Sequence, residues 1–410
     1  MKKLLATVMM GTLMAGAVLP VAAEDKTEIE MWTLFTGDDG VTMDSIVENY
    51  NASQDKVKLT HVAIERQDLY SKLALAMNDE NALPDLFVTY TYDTPYFVNL
   101  GYIQSMDDVL ASYENFDFDI SNYHDACASL NYYDGSRYSV SLDFPTWGMY
   151  VNTALAEEYC PEVLEDDVVT WDEIKAVGEK LQADGVEDVT VLATGWPRND
   201  ILSSYLALAG TYASEDGTEL QLNKDAAVEM MNTWKECYDA GYLWEEGDDA
   251  ASLFALEECI FYTGGTWNMN AINEYGFDYR FIAAPQFAAD EEPALFGASH
   301  AFQIPTRSYD EDTTFAICDW MYYFYENSID WAAAGSIVAS TAAAESAEYQ
   351  ELPQAFVSNN YTISNPDYVY AQTLFDIADQ LGFEALYGRM TAEEFAESWE
   401  KQTLEIVNAQ

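Results

Sequence analysis

The sequence is poor in positive charge. Its 410 residues hold 17 Lys and Arg against 72 Asp and Glu, a formal net charge of −55. A surface of that sign repels phosphate backbones and anionic headgroups, which argues against nucleic acid and anionic membranes as partners. It also suits an exported chain kept soluble by self-repulsion. Histidine is scarcer still, with only His61, His124 and His300. Three dispersed histidines and no H-E-x-x-H give no zinc hydrolase site. The five cysteines, Cys127, Cys160, Cys237, Cys259 and Cys318, form no C-x-x-C and no metal-ligand spacing. Their odd number leaves at least one thiol unpaired within the chain, and buried reduced thiols are expected where the core is large enough to need no staple. One or two disulfides stay open on sequence grounds.

Catalytic signatures are also missing. There is no P-loop, no G-x-G-x-x-G and no G-x-S-x-G. Ser53-Gln-Asp-Lys56 matches S-x-x-K, but S-D-N and K-T-G are absent. Asp117-Phe-Asp119 lacks the Gly and the twelfth-position Glu of a calcium loop. Two carboxylates can hydrolyse a glycosidic bond, yet no spacing singles out one pair among so many. The residues therefore offer no catalytic constellation, no metal ligands and no cofactor motif, although a secreted glycan-active enzyme remains an alternative.

One long apolar run is present, and it lies at the N-terminus. Met1-Lys2-Lys3 is a short basic segment, Leu4 to Leu19 is apolar apart from Thr7 and Thr12, and Val21-Ala22-Ala23 supplies small residues for a signal peptidase. The run is shorter than the ~20 apolar residues of a membrane span and has no basic stop-transfer flank. A signal peptide over residues 1–23, cleaved before Glu24, is the expectation, placing the mature chain in the periplasm or extracellular space. Met14-Ala15-Gly16 looks like the end of a lipobox, but position 17 is Ala, so no thioether forms there and no lipid anchor is expected.

Past that segment, the length argues for two domains. No repeat, Gly/Ser linker or low-complexity tract separates them. Glu28–Leu34, Val57–Ile64 and Leu86–Thr91 read as strands. Between them Val41, Ile46, Val47 and Tyr50, then Leu69, Leu73 and Met77, fall at helical spacing. This β-α-β-α-β order predicts an α/β lobe with a mostly parallel sheet. A second such lobe follows. Thr170-Trp171-Asp172-Glu173 is a capping box opening a helix through Ile174, Val177 and Leu181. Val189–Thr194, Cys259–Thr263 and Tyr279–Ala284 read as strands, and Ala227, Met230, Met231, Trp234 and Tyr238 form an apolar stripe. From Thr313 onward the chain reads as mainly helical, with a second capping box at Thr391 and Glu394.

Several segments together resemble the family 1 extracellular solute-binding proteins, the maltose-binding-like group. Glu28-Ile-Glu-Met-Trp32 resembles the family's opening strand. Leu83-Pro84-Asp85-Leu86, followed by the aromatic loop Tyr90 to Tyr92, resembles its P-D-hydrophobic element. Asn99-Leu-Gly101-Tyr102-Ile103 through Met106-Asp107-Asp108 resembles its L-x-x-G-x-(L/I)-x-x-L-D-D. Gly135 to Asn152 resembles the hinge segment, with Ser141 or Asp143 where Pro is usual and Val151 before Asn152. Thr170-Trp171-Asp172-Glu173 is similar to T-W-(D/E)-E, and Gly264-Gly-Thr-Trp267 to G-x-W. The resemblance implies a two-lobed periplasmic-binding-protein-like α/β fold with hinge strands and a helical C-terminal region. Its N-terminal lobe would hold 24–142 plus 297–335, and its C-terminal lobe 143–296 plus 336–410. It further implies a monomer that captures a small polar solute between its lobes and delivers it to the membrane subunits of an ABC importer.

A carbohydrate needs an aromatic platform for its C–H faces and planar polar side chains for its hydroxyls. Residues just past strand ends are the candidates, because ligands of open α/β sheets sit there. They are Trp32, Phe35 and Thr36 after the first strand, Tyr92 and Asp93 after the third, and Asp143 and Trp147 in the hinge segment. Trp196 and Arg198 follow the Val189–Thr194 strand. Gly265, Trp267 and Asn268 follow Gly264, where glycine would let backbone amides approach a ligand. Trp171, Trp234 and Trp320 sit in helical stripes and are assigned to core. A polyamine held by carboxylates and aromatics stays open as an alternative ligand.

Overall fold

The computed structural model describes residues 26–409, apart from 78, 80, 81, 216, 289–293 and 365–367. The expected signal peptide lies outside the described residues. In chain order the elements used below are β1 (Thr27–Thr33), α1 (Asp38–Ser53), β2 (Val57–Ala63), α2 (Arg66–Ala76), β3 (Leu86–Tyr90), β4 (Val140–Ser141), β5 (Trp147–Asn152), α3 (Trp171–Asp184), β6 (Thr190–Thr194), α4 (Pro197–Ala209), α5 (Lys224–Asp239), β7 (Cys259–Gly265), β8 (Tyr279–Ile282), β9 (His300–Gln303), α6 (Glu311–Glu326), α7 (Ala371–Leu386) and α8 (Ala392–Val407).

Two sheets organise these elements. The first has the order β2-β1-β3-β9-β4 and the second β8-β5-β7-β6. In the first, β1 pairs parallel with β2 and β3, while β9 runs antiparallel to β3 and β4. In the second, β6 and β7 are parallel, and β5 is antiparallel to both β7 and β8. Each sheet thus has a single reversed strand. The second sheet is less parallel than its sequence suggested, with β6 and β7 its one parallel pair. The reversed strands are β5 and β9, those by which the chain passes from one sheet to the other. A strand arriving from the facing lobe enters at the end where its neighbours leave, so it must run against them.

Local sequence chemistry fixes the helices. In α1, Met43, Ile46, Val47 and Tyr50 are buried on one face, whereas Val41 is exposed. In the capping box of α3 the Glu173 N–H donates to Thr170 Oγ1 over 3.2 Å, and the Thr170 N–H donates to Glu173 Oε2 over 2.7 Å. Thr391 and Glu394 repeat the motif at α8. α7 packs on α8 and α4, and α8 on α5, so the C-terminal helices enlarge the second lobe. Trp399 is fully buried there and donates to Leu374 O over 2.9 Å. α6 packs on β1 of the first lobe. All five cysteines are buried, and burial pushes the thiols of Cys160, Cys259 and Cys318 up to about 12.

Three chain segments connect the lobes side by side. Leu142 N donates to His300 O over 2.8 Å, Phe144 N to Ile337 O over 2.7 Å, and Ala339 N to Leu142 O over 3.1 Å. Gly335 follows in the third segment with φ +82°. A Cβ there would come within 2.1 Å of Thr266 O, so the position demands glycine on both counts.

Candidate functional site

β1, β3, β4, β6 and β7 end, and β5 and β9 begin, on one side of the molecule, between the lobes. The first-lobe wall is aromatic. The His300 ring lies 4.8 Å from Tyr90, and Tyr90 stacks on Tyr92 at 4.9 Å and 8°. The Tyr92 hydroxyl donates to Gln372 Oε1 of α7 over 3.1 Å, and its ring meets Phe375 edge-on at 5.5 Å. Beneath this stack Asp93 accepts from the Tyr70 hydroxyl. Burial pushes the Asp93 carboxyl up to about 7, against the lowering effect of that hydrogen bond and of Arg66.

The second-lobe wall is built on a buried carboxyl. Trp147 Nε1–H donates to Asp200 Oδ1 and Thr263 Oγ1–H to Asp200 Oδ2, each over 2.8 Å. Burial again dominates and pushes Asp200 up to about 7. Trp147 itself is buried, and it supports the half-buried Trp267 at a ring separation of 5.9 Å. Trp267 folds back over Gly265, where a Cβ would meet its ring at 2.3 Å. The glycine therefore makes room for the indole. Its N–H is not presented to a ligand, because it donates to Asn268 Oδ1 over 3.1 Å. Trp196, at the start of α4, is 50% exposed, leaving a large apolar face uncovered.

Two arginines meet at the mouth of this cleft. Arg66, the first residue of α2, reaches Asp376 Oδ1 of α7 over 3.5 Å, and Arg198 of α4 approaches the same oxygen at 4.0 Å. Both charges act on the hydroxyls of Tyr90 and Tyr92. Asp379 faces the Arg198 backbone N–H, and burial raises its carboxyl.

Tyr92, Asp93, Arg198, Trp196 and Trp267 thus sit at the facing ends of the two sheets, with Thr36 exposed on the turn after β1. Three other candidates lie elsewhere. Trp32 is buried among Leu69, Leu73, Phe87 and Phe97, with the Lys72 ammonium 3.6 Å from its ring. Strand alternation turns it into the core. Phe35 is buried between His300 and Trp331, at 5.0 and 4.8 Å. Asp143 is fully buried at the crossing. Its Oδ1 accepts from the His300 N–H over 3.2 Å and lies 2.9 Å from His300 Nδ1, and its Oδ2 accepts from Trp331 Nε1–H over 2.7 Å. The His300 donors come from the second connecting segment and Trp331 from the helix Ser328–Ala332 just before the third, so Asp143 clamps the crossing and both its oxygens are engaged. Sequence reasoning passed over Arg66, Gln372 and Asp376. Arg66 carries the signal of its neighbours, a position just past a strand. Nothing near Gln372 or Asp376 in sequence points to the cleft.

Residues 45–357 match the family described as bacterial extracellular solute-binding protein. The chain belongs to that family. Among curated relatives, the sn-glycerol-3-phosphate-binding periplasmic protein UgpB of Yersinia pestis is 24% identical over 372 residues, covering 85% of this chain and 83% of that protein. Among solved structures, the GacH receptor of Streptomyces glaucescens superposes with a TM-score of 0.78 at 15% identity, covering 93% of this chain and 99% of its own. The Listeria monocytogenes substrate-binding protein Lmo0181, solved with cycloalternan, has a TM-score of 0.77 at 18% identity, covering 94% and 100%. This solute-binding protein shares their two-lobed architecture. No helix among its described residues is long and apolar enough to cross a membrane, and no cluster of three or more metal-ligating side chains occurs among them.

Proposed function

We propose that the protein captures a sugar or oligosaccharide between its lobes and delivers it to an ABC importer. One observation carries the reading: strand ends of both sheets bring aromatic rings, Tyr90, Trp196 and Trp267, and the planar groups of Arg66 and Arg198 to one cleft, and α7 adds Gln372. Apolar faces rimmed by planar donors and acceptors match a ring with C–H faces and equatorial hydroxyls. The solved neighbours include proteins with maltotriose and with mannotriose bound, which supports the same class of solute.

The lobes would comprise 24–142 plus 297–335 and 143–296 plus 336–410, swinging about the three connecting segments. A ligand held by both lobes favours closure, because only the closed state makes both sets of contacts. The protein does no chemistry in this reading. Thr33 Oγ1, His61 Nε2 and Nδ1, and Asp44 Oδ1 do form a hydroxyl–imidazole–carboxylate chain at 2.6 Å per step. Thr33 is fully buried, so no substrate reaches its oxygen. Export with cleavage before Glu24, and no lipid at Ala17, completes the reading. N-terminal sequencing of secreted protein checks it, and an acylated or uncleaved N-terminus overturns it.

A thermal-shift screen of sugars, followed by small-angle scattering, tests the main claim. A hit should raise the melting temperature, shrink the radius of gyration and be recovered unmodified. A tight ligand that leaves the radius unchanged refutes closure, and a ligand recovered cleaved refutes the absence of chemistry.

A further inference from the structure

The six arginines of the chain divide by how well their donors are met. Arg280 donates to Leu164 O over 2.9 Å and to Asp167 Oδ1 over 2.5 Å. Arg307 donates to Asp85 and Leu83 O, Arg389 to Glu384 and Glu246, and Arg137 twice to the Tyr132 hydroxyl. Each of these four makes at least two side-chain hydrogen bonds.

Arg66 and Arg198 differ. Among the described residues the Arg66 guanidinium makes one hydrogen bond, the 3.5 Å contact to Asp376. That of Arg198 makes one of 3.3 Å to the adjacent Asn199, besides the 4.0 Å ion pair. A guanidinium has five N–H donors. Their side chains are only 21% and 12% exposed, yet none of their unmet nitrogens is sealed from solvent. Two guanidinium groups that reach one cleft from opposite lobes with open donors suit a shared acceptor.

We propose that the captured solute carries an acidic group, a carboxylate or a phosphate, gripped between Arg66 and Arg198. The inference rests on the solute-binding reading and narrows its ligand to acidic sugars or sugar phosphates. Planar guanidinium forks match the oxygens of either group and hold them by charge-assisted hydrogen bonds. Asp376, half-exposed, accepts from Gln372 Nε2 over 2.7 Å and is held only loosely by the two arginines; its carboxylate occupies the place of the incoming anion and turns to Gln372 alone on binding. Two other carboxyls face the pair. Asp93 is engaged by Tyr70, and Asp379 faces the Arg198 backbone. Burial raises both, which weakens their competition for the two cations. Because the arginines belong to different lobes, one anion bound by both draws the cleft shut.

The test is a thermal-shift and calorimetric panel of matched pairs on the full mature chain. Digalacturonate is set against galactobiose, glucuronate against glucose, and glucose 1-phosphate and glycerol 3-phosphate against glucose and glycerol. The carboxylate and phosphate arms separate the two sources of charge. An acidic member should bind at least a hundredfold more tightly than its neutral mate. Arg66→Gln and Arg198→Gln should each weaken it about thirtyfold or more, while the melting temperature of the free protein stays within about two degrees. Equal binding of a neutral mate overturns the acidic class and leaves solute capture standing. No shift from any member counts against both readings. A clear fall in the melting temperature of either free variant overturns the proposal by itself, since it makes the arginines structural.

Discussion

The clamp at the crossing and the arginine pair at the cleft mouth are both built from ionisable side chains, and their burial and hydrogen bonding are opposite. Asp143 is fully buried, and both its oxygens are taken by donors at 2.7 to 3.2 Å. Among the described residues Arg66 and Arg198 keep most of their donors unmet and open to solvent. Burying a polar group costs free energy unless it is bonded. Asp143 offsets that cost within the chain, whereas the open guanidinium donors stay hydrated until a ligand replaces the water. The contrast assigns Asp143 to holding the connecting segments together and the arginines to holding something from outside.

The largest expected effect attacks the clamp. Asp143→Ala strands the Trp331 and His300 donors in the core and should lower stability by about 3 kcal/mol, measured by denaturant titration. Asp143→Asn, which keeps the shape and an acceptor, should cost distinctly less. Equal losses from the two substitutions would show that packing, and not bonding, holds the crossing.

Trp267 tests the other side. Its indole is half-buried on Gly265 and Trp147, so Trp267→Ala should lower solute affinity by about 2 kcal/mol, roughly thirtyfold, with the fold retained. Calorimetric titration and melting of the same variant separate that outcome from a core loss of several kcal/mol. Unchanged affinity removes Trp267 from the site.

A more modest effect follows from the buried carboxyls on the two walls. Asp93 and Asp200 are pushed up to about 7 in the folded chain, against about 3.9 unfolded. Between these values the folded chain holds protons that the unfolded chain has released. Their contribution is therefore full at acid pH, declines as pH rises through about 7, and is flat above it. The melting temperature should be higher at pH 5 than at pH 8, and Asp200→Asn should reduce that slope. An unchanged slope in the variant would place the dependence on the surface charge instead. The smallest effect is expected at the arginines, where Arg66→Gln and Arg198→Gln should alter the stability of the free protein by at most about 0.5 kcal/mol. A larger loss would erase the contrast with Asp143.

The elements were legible from local chemistry. The period-2 and helical runs put β1 to β3, α1 and α2 where they are, and the boxes at Thr170 and Thr391 marked the starts of α3 and α8, because capping and amphipathicity depend on residues a few positions apart. The order of the motifs was enough for the family and its two lobes. The rule that ligands lie past strand ends brought Trp267, Trp196, Arg198 and Tyr92 to the cleft. It also admitted Trp32, Phe35 and Asp143, since sequence gives position along a strand but not what lies opposite. The Trp32 indole met the α2 core and the Asp143 carboxyl met Trp331, a partner 188 residues away. Gln372 and Asp376 became part of the cleft only because α7 docks on the second lobe and reaches across to the first. Burial and hydrogen-bond saturation are properties of such long-range contacts, and they decide whether a charged or aromatic residue near a strand end is structural or free to hold a ligand.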